Sequence, residues 1–304
     1  MSGGPGQVGV LDVGCFSAHL VVVQDPTLRP VLSHKTRLRL DLSLDRNAGV
    51  RRSGVDQVVA AVREARHVAE RAGVGAVLPW ATSVLRDAPN AAEVFAEVES
   101  RTGVALRSLT GVEEARLAYL AARRWFGVDT GPMVVLDIGG GTVEVAAGST
   151  GGPVLAASLP YGARTLSRSP VDPIELRSSV LHGIDGMGDL RDHFAVGCSK
   201  VFQQLARLSG ARPQRDGPDV RRSLRIEDLR RWSGRLAAMS ERQRARLPGI
   251  SPHRAGQSAA GAVVAEALMT AAGHDEVAIC PWSTREGLLL TLTGAGDDEI
   301  CRVA

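Results

Sequence analysis

The run Val134-Val135-Leu136-Asp137-Ile138-Gly139-Gly140-Gly141-Thr142-Val143-Glu144-Val145 sets a three-glycine turn between two apolar segments of β type. Glycine reaches backbone angles closed to other residues and carries no Cβ, so successive N–H groups can converge on an anion such as phosphate. Asp137 enters the turn and Glu144 leaves it, which supplies the hard oxygen donors that a hydrated Mg²⁺ next to a phosphate would use. A glycine triplet is also an ordinary way to close a tight hairpin, so this feature alone leaves both readings open.

A second copy shifts the balance. Val8-Gly9-Val10-Leu11-Asp12-Val13-Gly14-Cys15-Phe16-Ser17, followed by Ala18-His19-Leu20-Val21-Val22-Val23, repeats strand, Asp-x-Gly turn and strand more than a hundred residues earlier. Two such hairpins are the trace expected of two related lobes, each presenting a loop to a shared cleft and gripping one polyanion from both sides.

The elements that must position these turns follow from hydrophobic periodicity. Strands are expected at 7–13, 18–24 and 30–39, then a helix over 55–73, where Val58, Val59, Val62, Ala65 and Val68 share a face. A strand at 75–80, a helix from about 91, a strand near 104–109 and a helix over 112–125 complete a first lobe. The segment from Gly127 to Gly131 reads as the link, which divides the chain into lobes 1–127 and 128–304. Strands at 132–138, 142–148 and 153–159 repeat the meander. The remainder is mostly helical, with strands near 192–197 and 276–280.

Composition limits the class without revealing it. The 304 residues, 44% of them hydrophobic, suffice for two domains with cores of their own. No apolar run approaches the roughly 20 residues of a membrane helix, and Met1 to Gly6 lacks the basic and apolar blocks of a signal peptide, which points to a cytoplasmic protein. Cys15, Cys198, Cys280 and Cys301 are scattered, so neither a disulfide framework nor a zinc site is suggested. Lys35 and Lys200 are the only lysines, and arginine carries the positive charge of a chain with formal net charge +3.

Arginine is densest in a helical insertion expected over 212–246, at Arg221, Arg222, Arg225, Arg230, Arg231, Arg235, Arg242 and Arg244 among others. Guanidinium groups pair bidentately with phosphate and would suit a long polyanion. Interleaved Glu227, Asp228 and Glu241 fit equally the solvated basic face of an amphipathic helix pair. Aromatic residues make up only 4% of the chain and form no evident stacking platform, which argues against nucleic acid.

Further motifs fall in order along the chain: Ala81-Thr82-Ser83-Val84-Leu85-Arg86-Asp87-Ala88-Pro89-Asn90, Leu109-Thr110-Gly111-Val112-Glu113-Glu114-Ala115-Arg116-Leu117, Leu159-Pro160-Tyr161-Gly162-Ala163, Ala195-Val196-Gly197-Cys198-Ser199-Lys200 and Cys280-Pro281-Trp282-Ser283-Thr284-Arg285-Glu286-Gly287. With the two turns, they make the chain resemble the acetate kinase, sugar kinase, Hsp70 and actin superfamily. Within it, the chain is similar to the exopolyphosphatase and guanosine pentaphosphate phosphohydrolase family, in its short, two-domain, actinobacterial-type form. The resemblance implies an α/β fold of two ribonuclease H-like (actin-like ATPase) lobes. Each would hold a mixed five-stranded sheet flanked by helices, with a cleft between the lobes.

It also implies roles. Glu114, matching the second glutamate of the family's E-E-A-R motif, would activate the attacking water, whereas Glu113 points about 100° around the helix. Arg86 would contact the terminal phosphate. Backbone and side chains at Gly14, Cys15, Ser17, Gly139, Gly140, Gly141, Thr142, Gly197 and Ser199 would bind phosphate, and Asp12, Asp137 and Glu144 would hold Mg²⁺. From the residues alone, Glu113 and Glu114 could be first-turn acids complementing a helix dipole, and Arg86 could simply pair with Asp87.

This chain departs from the family pattern in places: Cys15 and Phe16 replace a Ser-Asn pair, Arg164 precedes the position where the family has its arginine, and Gly197-Cys198-Ser199 has lost hydroxyls. The reaction implied is Mg²⁺-dependent release of orthophosphate from inorganic polyphosphate. Alternatives are hydrolysis of guanosine pentaphosphate or another phosphorylated nucleotide or metabolite, and a catalytically weak sensor that binds a polyanion or nucleotide. A homodimer is expected by the same resemblance.

Overall fold

A computed structural model describes residues 6–149 and 154–294; Cys301 lies outside them. Contacts group the chain into two compact units, one reaching to Thr110 and joined by the segment from Leu288, the other spanning Gly111–Gly287.

The first unit is built on β1 (Val8–Val13), β2 (Ser17–Val23), β3 (Pro30–Arg37), β4 (Ala76–Ala81) and β5 (Arg107–Ser108), with α1 (Arg52–Arg71), the single turn α2 (Ser83–Arg86) and α3 (Ala91–Thr102). Its five-stranded sheet has the order β3-β2-β1-β4-β5. The first three strands form an antiparallel meander, and β4 joins β1 in parallel. α1 buries Val55, Val58, Val59, Val62, Ala65 and Ala69, the i, i+3, i+4 stripe legible in its sequence, against Leu11, Val13, Leu20 and Val22 of the sheet.

The second unit begins with α4 (Gly111–Phe126) and continues through β6 (Met133–Ile138), β7 (Val143–Gly148), β8 (Leu155–Leu159), α5 (Ala163–Arg168), α6 (Pro173–Ile184), β9 (Phe194–Gly197) and α7 (Ser199–Leu208). It ends with β10 (Ser223–Arg225), α8 (Ile226–Ala238), the short α9 (Glu241–Arg244), α10 (Ser258–Ala271), β11 (Glu276–Ile279) and the start of α11 (Thr284–Leu292). The sheet order is β10-β11-β9-β6-β7-β8, again an antiparallel meander with β9 added in parallel to its first strand. Strand for strand this repeats the first unit, with β10 as an extra edge. α10, rich in Ala, Val and Leu, is buried among α5, α6, α7 and α8.

Two expectations change. The division falls at Thr110/Gly111 rather than at 127/128, because α4 packs on β6, β7 and β8. The apparent linker is a short 3₁₀ turn, Val128–Thr130, held to α4 when Arg123 donates to the Gly131 carbonyl at 2.7 Å. The arginine-rich segment is not wholly helical either: Ser223-Leu224-Arg225 alternates exposed, buried, exposed and adds a sixth strand beside β11. Among the described residues no helix is long and apolar enough to cross a membrane.

Candidate active site

In the first unit the turn between β1 and β2 closes when the Gly14 N–H donates to the Ser17 carbonyl at 2.9 Å. The segment following β3 fixes its other side, as Leu38 and Leu40 donate to the carbonyls of Phe16 and Cys15. A Cβ added to Gly14 would lie 3.7 Å from Thr82 Oγ1 and 3.8 Å from Asp12 Oδ1, so the Asp12 carboxylate and the Thr82 hydroxyl both border the turn. The Cys15 side chain packs against the apolar cluster of this unit. Arg86, at the end of α2, forms the ion pair with Asp87 at 2.7 Å and donates to the Leu109 carbonyl at 2.8 Å.

In the second unit Gly139 donates to Thr142 at 2.9 Å. The carbonyls of Gly139, Gly140 and Gly141 all accept N–H groups from Gly162 to Thr165, at 3.0–3.1 Å. A planar trans peptide sets its N–H opposite its C=O, so the amides of Gly140, Gly141 and Thr142 point away from α5. Gly162 must be glycine for this contact, since a Cβ there would sit 2.4 Å from the Gly141 carbonyl carbon. These three consecutive amides, turned to one side, have the arrangement that an anion could complete.

Beside them runs a row of side-chain oxygens. Asp137, Glu144 and Ser158 are successive register partners across β6, β7 and β8, and the Ser158 hydroxyl donates to Glu144 Oε1 at 3.0 Å. α4 lies over this row. Gly111 is so close to Ser158 that a Cβ would meet its Oγ at 2.1 Å, and Glu144 Oε1 would be 3.6 Å away. Glu114, three residues on and therefore close to the same face, is buried in that first turn, whereas Glu113 is half-buried.

Ser283, just before α11, donates its hydroxyl to Asp137 and its N–H to Glu286 Oε2 at 3.0 Å. Thr284 reaches the Glu114 carbonyl at 3.4 Å. Burial raises the Asp137 pKa to about 6; the Ser283 hydrogen bond opposes that rise and the Glu286 charge adds to it.

The remaining candidates lie at the end of β9. Gly197 is buried where a Cβ would press on the Phe202 ring at 2.7 Å, so packing explains that glycine. Ser199 adopts a left-handed φ of 72°, and its hydroxyl accepts the Ile138 N–H at 3.4 Å. The structure thus gathers Glu114, Asp137, Glu144 and the Gly139–Thr142 turn in one unit, and Asp12, Gly14, Ser17 and Arg86 in the other. Ser158, Ser283 and Glu286 had no role assigned from sequence. Only the S-T-R-E stretch, quoted for its order along the chain, signalled the last two.

Much of the arginine-rich segment serves the fold. Arg222 donates to the carbonyls of Arg212, Pro213, Gly217 and Val220, Arg230 pairs with buried Glu266, Arg231 with Asp228, and Arg244 caps the Leu236 carbonyl. Trp125, Phe126 and Phe194 do gather at a cavity of about 660 Å³, but there Asp219 and Glu276 offset the charges of Arg221 and Arg222, a poor match for a nucleic-acid backbone.

The model of the Ppx/GppA phosphatase family matches residues 20–295. The chain belongs to that family. Exopolyphosphatase 1 of Mycobacterium tuberculosis is 40% identical over 306 residues, covering 93% of this chain and 87% of the relative. An uncharacterized protein of Streptomyces coelicolor is 44% identical over 300 residues, covering 93% and 89%. The crystal structure of an exopolyphosphatase from Cytophaga hutchinsonii superimposes with a TM-score of 0.81 at 19% identity, over 96% of this chain and 99% of that one. The two sheets with their flanking helices are therefore the two actin-like lobes of Ppx/GppA proteins.

Proposed function

We propose that this Ppx/GppA protein is a Mg²⁺-dependent exopolyphosphatase that releases terminal orthophosphate from inorganic polyphosphate. The observation that carries the reading is the row Asp137–Glu144–Ser158, lying under the first turn of α4 and beside a glycine turn with its amides on one side. The amides of Gly140, Gly141 and Thr142 hold nonbridging phosphate oxygens. Glu114 orients a water for in-line attack and takes its proton, while the Gly139–Thr142 turn keeps the phosphoryl group in place.

Two carboxylates facing each other across a hairpin repel unless a cation or a proton lies between them, and Asp137 is already pushed toward protonation. That donor set fits Mg²⁺, which is satisfied by one or two carboxylates, waters and phosphate oxygens; Asp137 and Glu144 would hold it. When bound, Mg²⁺ lowers the repulsion between a carboxylate base and its anionic substrate.

The test is phosphate release from tripolyphosphate, long-chain polyphosphate and guanosine pentaphosphate, side by side in Mg²⁺ and in EDTA. Release from polyphosphate that EDTA abolishes is expected. Release only from the nucleotide would move the protein to the pentaphosphate branch, and no release from any substrate would overturn the hydrolase reading.

A further inference from the structure

Arg164 is the second residue of α5, and its backbone N–H donates to the Gly140 carbonyl at 3.0 Å. Its side chain then folds over the same glycine: a Cβ on Gly140 would lie 3.3 Å from Nη1 and 3.6 Å from Cζ. The neighbouring carbonyls of Gly139, Gly140 and Gly141 are already taken by main-chain donors, so the guanidinium is not there to satisfy them. No carboxylate pairs with it among the described residues, which sets it apart from arginines whose donors are taken up by the protein. Arg86 bonds Asp87 and a carbonyl, Arg123 bonds Gly131 and Tyr119, and Arg222 is saturated by carbonyls. A permanently charged, five-donor fork held half-buried on an anion-binding turn has a use if an oxyanion completes it.

We propose that Arg164 determines substrate class at this site: its guanidinium binds the phosphate next in line to the one held by the Gly140–Thr142 amides. The site thereby selects anhydride-linked phosphates over a single orthophosphate. The proposal rests on the phosphohydrolase reading for what the anion is, but the geometry of Arg164 stands without it. A lysine would restore the charge without the planar fork, so it recovers only part of the effect. Glycine at 140 is part of the same device, because a methyl group there pushes on the guanidinium.

The experiment measures equilibrium binding of tripolyphosphate and of orthophosphate to the full chain, by titration calorimetry, with circular dichroism confirming that each variant is folded. Arg164→Gln should weaken tripolyphosphate binding by about 10-fold or more, the scale of a lost charge-assisted hydrogen bond, while orthophosphate binding falls much less. Arg164→Lys should lie between, and Gly140→Ala should shift binding in the direction of Arg164→Gln. In turnover, KM should rise by a larger factor than kcat falls. Unchanged tripolyphosphate binding in Arg164→Gln, or equal loss for both ligands, overturns the proposal. A wild-type protein that binds tripolyphosphate in an Arg164-dependent way yet releases no phosphate would sink the hydrolase reading and leave this one standing.

Discussion

In the β1–β2 hairpin Gly14 donates to Ser17 at 2.9 Å and Asp12 faces His19 across the ladder; in the β6–β7 hairpin Gly139 donates to Thr142 at the same 2.9 Å and Asp137 faces Glu144. The closures match, so the repeated scaffold fixes the shape of the turn whatever residues fill it. The residue opposite the aspartate differs. His19 bonds Ser33 at 2.9 Å on the neighbouring strand, whereas Glu144 creates a second carboxylate, steadied by Ser158. The backing differs too. The segment that follows β3 holds the first turn, and the start of α5 holds the second. A repeated hairpin can therefore differ through one facing residue and one backing segment: the second turn has a pair of facing carboxylates, and the first has a single acid.

The largest effect expected concerns the helix that overlies the second hairpin. Glu114→Gln should lower phosphate release by about 100-fold or more, the usual cost of losing a general base, with folding retained. Glu113→Gln, half-buried and on another face, should matter far less. Equal losses from the two would remove the assignment of chemistry to the second hairpin.

Next comes the cost of burying the Asp137 carboxylate. The folded-state pKa of Asp137 is raised from 3.8 to about 6, so the stability it contributes is present below pH 4 and lost as pH climbs through 6. Two units correspond to about 3 kcal/mol. Asp137→Asn should therefore unfold at higher denaturant than wild type at pH 8 in EDTA, with the gap closing toward pH 4, while phosphate release is lost. Denaturation curves across that range check it, and parity at pH 8 would show that burying Asp137 carries no such cost.

The smallest effect belongs to the first turn. Phe16→Asn supplies a donor toward the anion and should tighten polyphosphate binding by about 10-fold, near the low end of a hydrogen bond to a charged group. Cys15→Ser, whose side chain packs on the apolar cluster, should instead cost stability without tightening binding. If Phe16→Asn weakens turnover of a nucleotide while helping polyphosphate, the phenyl ring is a specificity contact, and the contrast between the two turns becomes one of substrate rather than strength.

Both hairpins were legible in the sequence, because a glycine turn flanked by apolar runs has few other solutions and the opposition of Asp137 to Glu144 follows from symmetric spacing about it. Glu114 was not legible from spacing; first-turn acids are common, and only the family resemblance singled it out. Ser158 and Ser283 escaped because their partners come from a neighbouring strand and from a strand 146 residues away in the chain. Arg222 reads like its neighbours in a basic stretch, yet it is the buried hub of its own loop, which no periodicity reveals. α4 was placed with the wrong neighbours for a similar reason. Gly127 and Gly131 look like a linker, and only the packing of Ala115, Ala118 and Ala122 against Met133, Val135 and Ala146 assigns the helix to the second sheet.

The backbone contact between Gly162 and the Gly140–Gly141 segment has a thermodynamic consequence. Three consecutive glycines are the costliest stretch of chain to order, since each gives up more conformational freedom than any other residue. Here that entropy is surrendered when the protein folds, because main chain from α5 fills the space behind the loop and takes up its carbonyls. An arriving phosphate meets amides that are already aimed, and its binding free energy is not spent on freezing them.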